Sequence, residues 1–167
     1  MSTKRLSNKF SDILTLIRFK NPTGYILLFL PCAIGTGLYS NFYRSYNLLI
    51  LFFIGSVVMR SAGCIINDFL DRDLDKHVER TKNRPLAARK LTLAEAGVTL
   101  LILALLGLLI LIQLSSKSIL LGLFSSILIV SYPLMKRITF WPQLFLGISY
   151  NIGILFAVLE THLEITA

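Results

Sequence analysis

Residues 48–75 read LLILFFIGSVVMRSAGCIINDFLDRDLD. Two physical regimes meet in this stretch. From Leu48 to Ile66 the side chains are almost all apolar, over a length that crosses most of a hydrocarbon layer of about 30 Å. From Asn67 to Asp75 amide and carboxylate side chains recur instead. Lipid offers no partner for free backbone groups, so the apolar part must be helical. One charge interrupts it: Arg60, whose cost inside a membrane makes it a candidate functional residue.

Working outward, four more apolar blocks follow the same pattern: Tyr25–Tyr39, Leu93–Leu114, Ile119–Met135 and Leu144–Leu159. The first is the shortest. The chain has 167 residues, 54% hydrophobic and 16% charged, with a mean hydropathy of +0.70. That is too apolar for an ordinary soluble domain. The expected fold class is therefore all-α, a polytopic transmembrane helical bundle of about five helices, with residues 1–167 in one membrane domain. Residues 1–20 form a cytoplasmic or interfacial segment, and residues 67–92 a cytoplasmic Asp-rich loop. Residues Phe10 to Phe19 (FSDILTLIRF) suit an amphipathic helix lying at the interface with Ile13, Leu16 and Ile17 towards lipid. The first 20 residues are polar and basic with no apolar core of their own, so no cleavable signal sequence is expected.

The formal charge of +8 would point to nucleic acid in a soluble protein. Here the lipid bilayer explains it better, and no nucleic-acid partner is expected. With the N-terminus in the cytoplasm, Lys4, Arg5, Lys9, Arg18 and Lys20, the basic loop from Arg72 to Lys90, and Lys136 and Arg137 all fall inside. The opposite loops hold only Arg44 and Lys117. This asymmetry follows the positive-inside rule and gives a multi-pass protein of the inner (cytoplasmic) membrane with a cytoplasmic N-terminus.

Small residues at Gly35, Gly37, Gly55, Ser56, Gly107, Ser125, Ser126, Gly147 and Gly153 are expected at close helix contacts. Pro31 and Pro133 are expected to bend their helices. Cys32 and Cys64 lie in different apolar blocks with no His or Cys at ligand spacing, and read as small buried hydrophobes.

The chemistry concentrates after Ile66. Asn67, Asp71 and Asp75 recur at i, i+4 and i+8, so at about 100° per residue they share one helical face. Asp68 lies near the edge of that arc, and Asp73 points away as a solvated or ion-paired surface charge. Hard oxygen ligands gathered at a membrane boundary suit Mg²⁺, which takes one or two carboxylates while bridging to substrate phosphates. The competing reading is a salt-bridged helix end in which Arg72, Lys76 and Arg80 pair with the acids. Arg60 lies near the same face and has two uses open to it, pairing with Asp71 or reaching a substrate. Lys82, Arg84 and Arg89 surround Pro85 in a loop able to fold back over the acids. Lys136 and Arg137 bring cations from a third segment, as a doubly anionic leaving group requires.

The run GCIINDFLDRDLDKHVERTKNRPLA, Gly63 to Ala87, resembles the N-D-x-x-D-x-x-x-D motif and following R-T-x-x-R-P-L loop of the UbiA superfamily of intramembrane prenyltransferases. YPLMKRITFWPQLFLG, Tyr132 to Gly147, is similar to the Y-P-x-x-K-R-x-T-x-x-P-Q signature of its 4-hydroxybenzoate polyprenyltransferase branch. LIRFKNPTGYILLFLPC, Leu16 to Cys32, is similar to that branch's first helix. The resemblance implies transfer of a polyprenyl group from polyprenyl diphosphate to 4-hydroxybenzoate, Mg²⁺-dependent, in ubiquinone biosynthesis. It implies that Asn67, Asp71 and Asp75 hold the metal and diphosphate, with Asp68 completing the motif. Arg137 matches a diphosphate- or carboxylate-binding arginine. Arg84, Lys136 and Tyr132 belong to the matched segments and are expected at the substrate, with Arg60 beside them. Asp71, Asp75 and Arg137 are the expected catalytic set.

The family has about nine helices and a second aspartate-rich motif opposite the first. After Asp75 the acids here are Glu79, Glu95, Glu160 and Glu164, with no second cluster. The expectation is either a truncated or split gene product or a chain whose other half comes from a separate one, inactive alone in both cases. An inert or partner-dependent membrane fragment is the alternative. Haem O synthase and the menaquinone and chlorophyll prenyltransferases share the first motif, but His77 and the Tyr132 to Gln143 pattern favour the hydroxybenzoate branch. The D-G-x-x-A-R signature of CDP-alcohol phosphotransferases is absent.

Overall fold

A computed structural model describes the backbone of residues 2–39 and 45–165, and the side chains of residues 8–38, 45–135 and 138–161. Arg44 and the side chains of Lys4, Arg5, Lys136, Arg137 and Glu164 lie outside the described residues. The described residues form six helices and no strand: α1 (Ser2–Leu16), α2 (Thr23–Tyr39), α3 (Tyr46–Asp75), α4 (Leu93–Leu111), α5 (Ser116–Ile138) and α6 (Pro142–Ile165). Of these, α3, α4, α5 and α6 are long and apolar enough to cross a membrane. Helix α2, with 17 residues, sits at the short end of the range for a span. The five expected apolar blocks are thus five helices, preceded by one at the N-terminus.

Local chemistry sets the boundaries. Helix α4 starts with a capping box: the Glu95 N–H donates to Thr92 Oγ1 at 3.2 Å, and the Thr92 N–H donates to Glu95 Oε2 at 2.9 Å. Those bonds satisfy donors that a helix start leaves open. Helix α6 begins at Pro142, where a missing N–H costs nothing. Helix α1 ends where Arg18 turns left-handed with φ 54°, and the Phe19 N–H returns to the Leu14 carbonyl at 3.0 Å. The acidic segment divides, because α3 runs on through Asp75 and only residues 76–92 form a loop.

Two apolar clusters hold the helices. In one, Leu16, Ile65, Leu86, Leu91 and Ala96 are buried, with Ile13, Ile17 and Phe69 packed against them. This corrects the expectation for the amphipathic N-terminal segment: Ile13, Leu16 and Ile17 face protein, not lipid. The loop after α3 folds back and offers Leu86 and Leu91, so the apolar stripe of α1 finds a dry surface before it reaches the bilayer. A Lys9–Glu95 ion pair fastens α1 to the start of α4. The surface of α4, by contrast, is largely uncovered among the described residues, with 6% of its apolar window buried within the protein.

The second cluster joins α2, α3 and α6 through Cys32, Phe52 and Ala157. Small side chains let these helices approach closely. A Cβ on Gly35 would stand 2.7 Å from the Ala157 Cβ, and one on Gly153 would stand 2.6 Å from Cys32 Sγ and 3.2 Å from the Cys32 backbone nitrogen. Thr36 and Thr161, both fully buried, donate to carbonyls of their own helices at 2.8 Å. Not every small residue serves this purpose. Gly37 and Gly147 have no atom within 4 Å of an added Cβ, and Gly55 and Gly107 have only ordinary contacts at 3.6 Å.

Gly153→Val is therefore expected to destabilise the α2–α6 pair by about 1–3 kcal/mol, the usual cost of overpacking. Gly147→Ala should be neutral. Thermal unfolding in detergent, followed by helix circular dichroism, checks both; equal losses would mean that the contact does not limit stability.

Candidate functional site

Helix α3 supplies the frame. Counting about 100° per residue, Asp68 and Asp75 lie roughly 20° apart, while Asn67 and Asp71 sit some 40–100° further round, beside Arg60. The structure uses these two flanks differently. Arg84 Nη1 donates to Asp68 Oδ1 at 3.2 Å and to Asp75 Oδ2 at 2.6 Å, bridging the first flank. Arg18 Nη2 adds a bond to Asp68 Oδ1 at 3.0 Å. Asp68 is 2% exposed, and a carboxylate buried that far requires this compensation. Asp68 keeps its expected place near the edge of the arc, and it is there the most deeply fixed of the acids, because two guanidinium groups from outside α3 converge on it.

The loop is folded to bring Arg84 there. Thr81 Oγ1 donates to the Asp75 carbonyl at 3.1 Å, the Arg84 N–H donates to the Thr81 carbonyl at 2.9 Å, and the Ala88 N–H donates to the Arg84 carbonyl at 2.8 Å. Pro85, Leu86 and Ala87 are buried directly after it. Arg84 is thus held between a bonded turn and an apolar anchor. Asp73 behaves as expected from its place on the far side, pairing with Arg72 at 3.3 Å and Lys76 at 2.7 Å on the exposed surface. The salt-bridged helix end is real, but it is centred on Asp73.

The second flank meets a cavity of about 260 Å³, lined by Arg18, Arg60, Asn67, Arg84, Tyr132 and Tyr150 among others. Arg60 reaches it past Gly24, where a Cβ would overlap the Arg60 Nε. Asp71 and Arg60 both lie within electrostatic reach of the Tyr132 phenol. A second cavity of about 130 Å³ is lined chiefly by apolar side chains and glycines, including Phe52, Gly55, Ile110, Leu114 and Phe156. The two share Leu28, Met59, Ile129 and Ser149. An arginine-rich chamber therefore adjoins an apolar one across a shared wall.

Of the residues singled out in the sequence, Arg60, Asn67, Arg84 and Tyr132 come together at this cavity. Asp68 and Asp75 are tied to it through Arg84. Lys136 and Arg137 lie in the last turn of α5, just beyond Tyr132, with side chains outside the described residues. Among the described residues no three His, Cys, Asp or Glu side chains are gathered as a metal-binding group. Sequence reasoning missed Arg18, Gly24 and Tyr150. Arg18 had been counted only in the charge asymmetry; its signal was a basic residue close before Pro22, at the entrance to a span. Tyr150 could have been noticed as a polar tip in an apolar block.

Residues 28–165 match the UbiA prenyltransferase family. The chain belongs to that family. It is 47% identical over 142 residues to the mitochondrial 4-hydroxybenzoate polyprenyltransferase of Drosophila pseudoobscura pseudoobscura, a match covering 84% of this chain and 36% of the relative. It is 38% identical over 164 residues to the 4-hydroxybenzoate octaprenyltransferase of Coxiella burnetii (strain CbuK_Q154), covering 97% of this chain and 57% of the relative. The apo structure of a UbiA homolog from Aeropyrum pernix K1 shares the fold, with a TM-score of 0.66 at 22% identity over 88% of this chain and 48% of that one. The UbiA fold is thus the one the helices form, and the chain is a multi-pass membrane protein. It spans between about a third and six-tenths of the length of these relatives.

Arg84→Gln is expected to lower stability by about 2 kcal/mol, as bonds to charged groups do when one partner is removed. Asp73→Asn, at an exposed pair, should have little effect. Detergent thermal shifts of the two variants check this, and similar small shifts for both would show that Asp68 and Asp75 do not depend on Arg84.

Proposed function

We propose that these residues form the prenyl diphosphate-binding portion of a 4-hydroxybenzoate polyprenyltransferase that acts in ubiquinone biosynthesis. The observation that carries this reading is the arginine-lined cavity adjoining an apolar one. An isoprenoid diphosphate has that same division, a polyanionic head on a hydrocarbon tail. The names of the relatives supply the acceptor, 4-hydroxybenzoate.

Arg60 and Arg84 take the diphosphate, with Arg18 beside them and Lys136 and Arg137 added by the family resemblance. Guanidinium groups suit this role because their forked donors match phosphate oxygens. The donor set also fits Mg²⁺. By the family resemblance Asn67, Asp71 and Asp75 would hold it, as hard oxygen donors on α3. Bound there, Mg²⁺ supplies further neutralisation of the leaving group. The allylic C–O bond then breaks with its electron pair leaving on the diphosphate. A ring carbon of the phenol attacks the allylic cation and afterwards loses its proton. The apolar walls at Phe52, Ile110 and Phe156 exclude the water that would otherwise capture the cation.

The family's second aspartate-rich motif is not among these 167 residues. We therefore assign them one side of the site, with the other supplied by further sequence or a separate partner. The test is production of ubiquinone in a strain lacking its own hydroxybenzoate prenyltransferase. The 167-residue polypeptide is expected to give none alone and to restore synthesis with the C-terminal half of a related enzyme. In that pair Asp71→Ala and Asp75→Ala should each lose at least ~10-fold in activity, as loss of a metal ligand does, whereas Asp73→Ala should retain it. Synthesis by the polypeptide alone, or failure of every pairing, would count against the reading.

We also place the protein in the inner membrane with the acidic end of α3 and the N-terminus on the cytoplasmic side, which the basic-residue asymmetry supports. With Cys32 and Cys64 replaced, a membrane-impermeant thiol reagent applied to intact cells should label Lys117→Cys and spare Lys82→Cys. The reverse pattern would invert the orientation.

A further inference from the structure

The turn between α5 and α6 presents an unusual surface. Ile138, Phe140 and Trp141 are 73%, 99% and 71% exposed. The turn is nevertheless ordered by its own bonds. The Thr139 N–H donates to the Met135 carbonyl at 3.0 Å, the Trp141 N–H to Thr139 Oγ1 at 3.1 Å, and the Leu144 N–H to the Trp141 carbonyl at 3.2 Å. A closed backbone leaves the three large side chains projecting outward in fixed places. They stand between two membrane-length segments, Ser116–Met135 and Pro142–Thr161, where chain and bilayer surface must meet. Their apolar surface continues into that of Leu134 and Leu144, exposed on the flanking helices.

We infer that this turn is an interfacial anchor whose partner is the boundary between headgroups and acyl chains. Trp combines a broad apolar ring with one N–H donor, the combination that favours this depth over either water or hydrocarbon. Lys136 and Arg137 precede the turn in sequence and suit anionic headgroups. The anchor lies at the end of the bundle that holds the arginine-lined cavity, because Tyr132 and Pro133 before the turn and Leu146 and Tyr150 after it line that cavity. It therefore sets the depth of the cavity in the leaflet. An amphiphile resting with its anionic head among the headgroups meets Arg60 and Arg84 without leaving lipid; this consequence rests on the proposed substrate, while the anchoring itself does not.

Trp141 is the single tryptophan of the chain, so the unmodified protein carries its own probe. The full chain, reconstituted without diphosphate in phosphatidylcholine and phosphatidylglycerol vesicles, is titrated with phosphatidylcholines brominated near the carbonyls or near the chain ends. Shallow bromines are expected to quench its emission ~2-fold or more above deep ones, as an interfacial indole requires. The double variant with Trp141→Phe and Phe140→Trp should keep that ranking. Quenching by acrylamide with none by lipid would mean a solvated turn, and quenching by neither would mean a turn covered by protein, whether a second copy or a further segment. Dominant quenching by deep bromines would place it in the hydrocarbon. Each of these three results overturns the anchor while leaving the diphosphate reading untouched.

Discussion

A carboxylate at the edge of a membrane must either reach water or find a cation, and Asp68 reaches almost no water. Its two bonds, to Arg84 and Arg18, decide much of the surrounding structure. Arg84 can arrive only if residues 76–92 fold back along α3, which brings Leu86 and Leu91 against Ile65. Arg18 can arrive only if the chain turns sharply after α1, and the left-handed backbone there accepts a conformation that most side chains avoid. Leu16, directly before that turn, is then buried with Leu86 and Leu91. The polar bridge and the apolar cluster are two sides of one junction, each requiring the other's geometry.

That junction also ties two of the chamber's arginines, Arg18 and Arg84, to acids of α3. Were Arg84 free to move, it would compete for every carboxylate on α3. Burial of Pro85, Leu86 and Ala87 limits its reach, and the pairing of Asp73 with Arg72 and Lys76 takes one acid out of competition. The close contact of α2 and α6 closes the far side of the bundle. Cys32 and Gly153 stand at this contact and also line the apolar cavity, so the packing that holds the helices together shapes the space between them.

The helices were largely legible from sequence because lipid leaves one choice of backbone structure, and block lengths then place the boundaries. Asp73 was legible too, since a residue opposite the apolar face has nowhere to go but outward. The face of α1 was not. Periodicity shows that Ile13, Leu16 and Ile17 share a stripe, but lipid and a folded-back loop are equally apolar partners, and only the tertiary path of residues 76–92 distinguishes them. The burial of Asp68 was not legible for a related reason. Angular position on α3 says which way a side chain points, not whether Arg18, fifty residues earlier in the chain, will meet it. Gly24 illustrates the same limit, since its purpose is defined by Arg60 on another helix.

The two cavities gain a direction from α3 itself. Asn67, Gly63 and Arg60 line the polar chamber, Met59 lines both, and Ser56, Gly55 and Phe52 line the apolar one. From Asn67 to Phe52 the helix rises roughly 22 Å at about 1.5 Å per residue, a large part of a hydrocarbon layer about 30 Å thick. Polarity therefore falls along the same axis on which the bilayer becomes apolar. An anionic head held at the acidic end keeps its counter-charges, while the attached chain passes inward along surfaces as apolar as the lipid it leaves. A soluble enzyme would have to shield such a tail from water on every side; here the solvent around the bundle already does so, and the protein has only to place cations at one end of a single long helix.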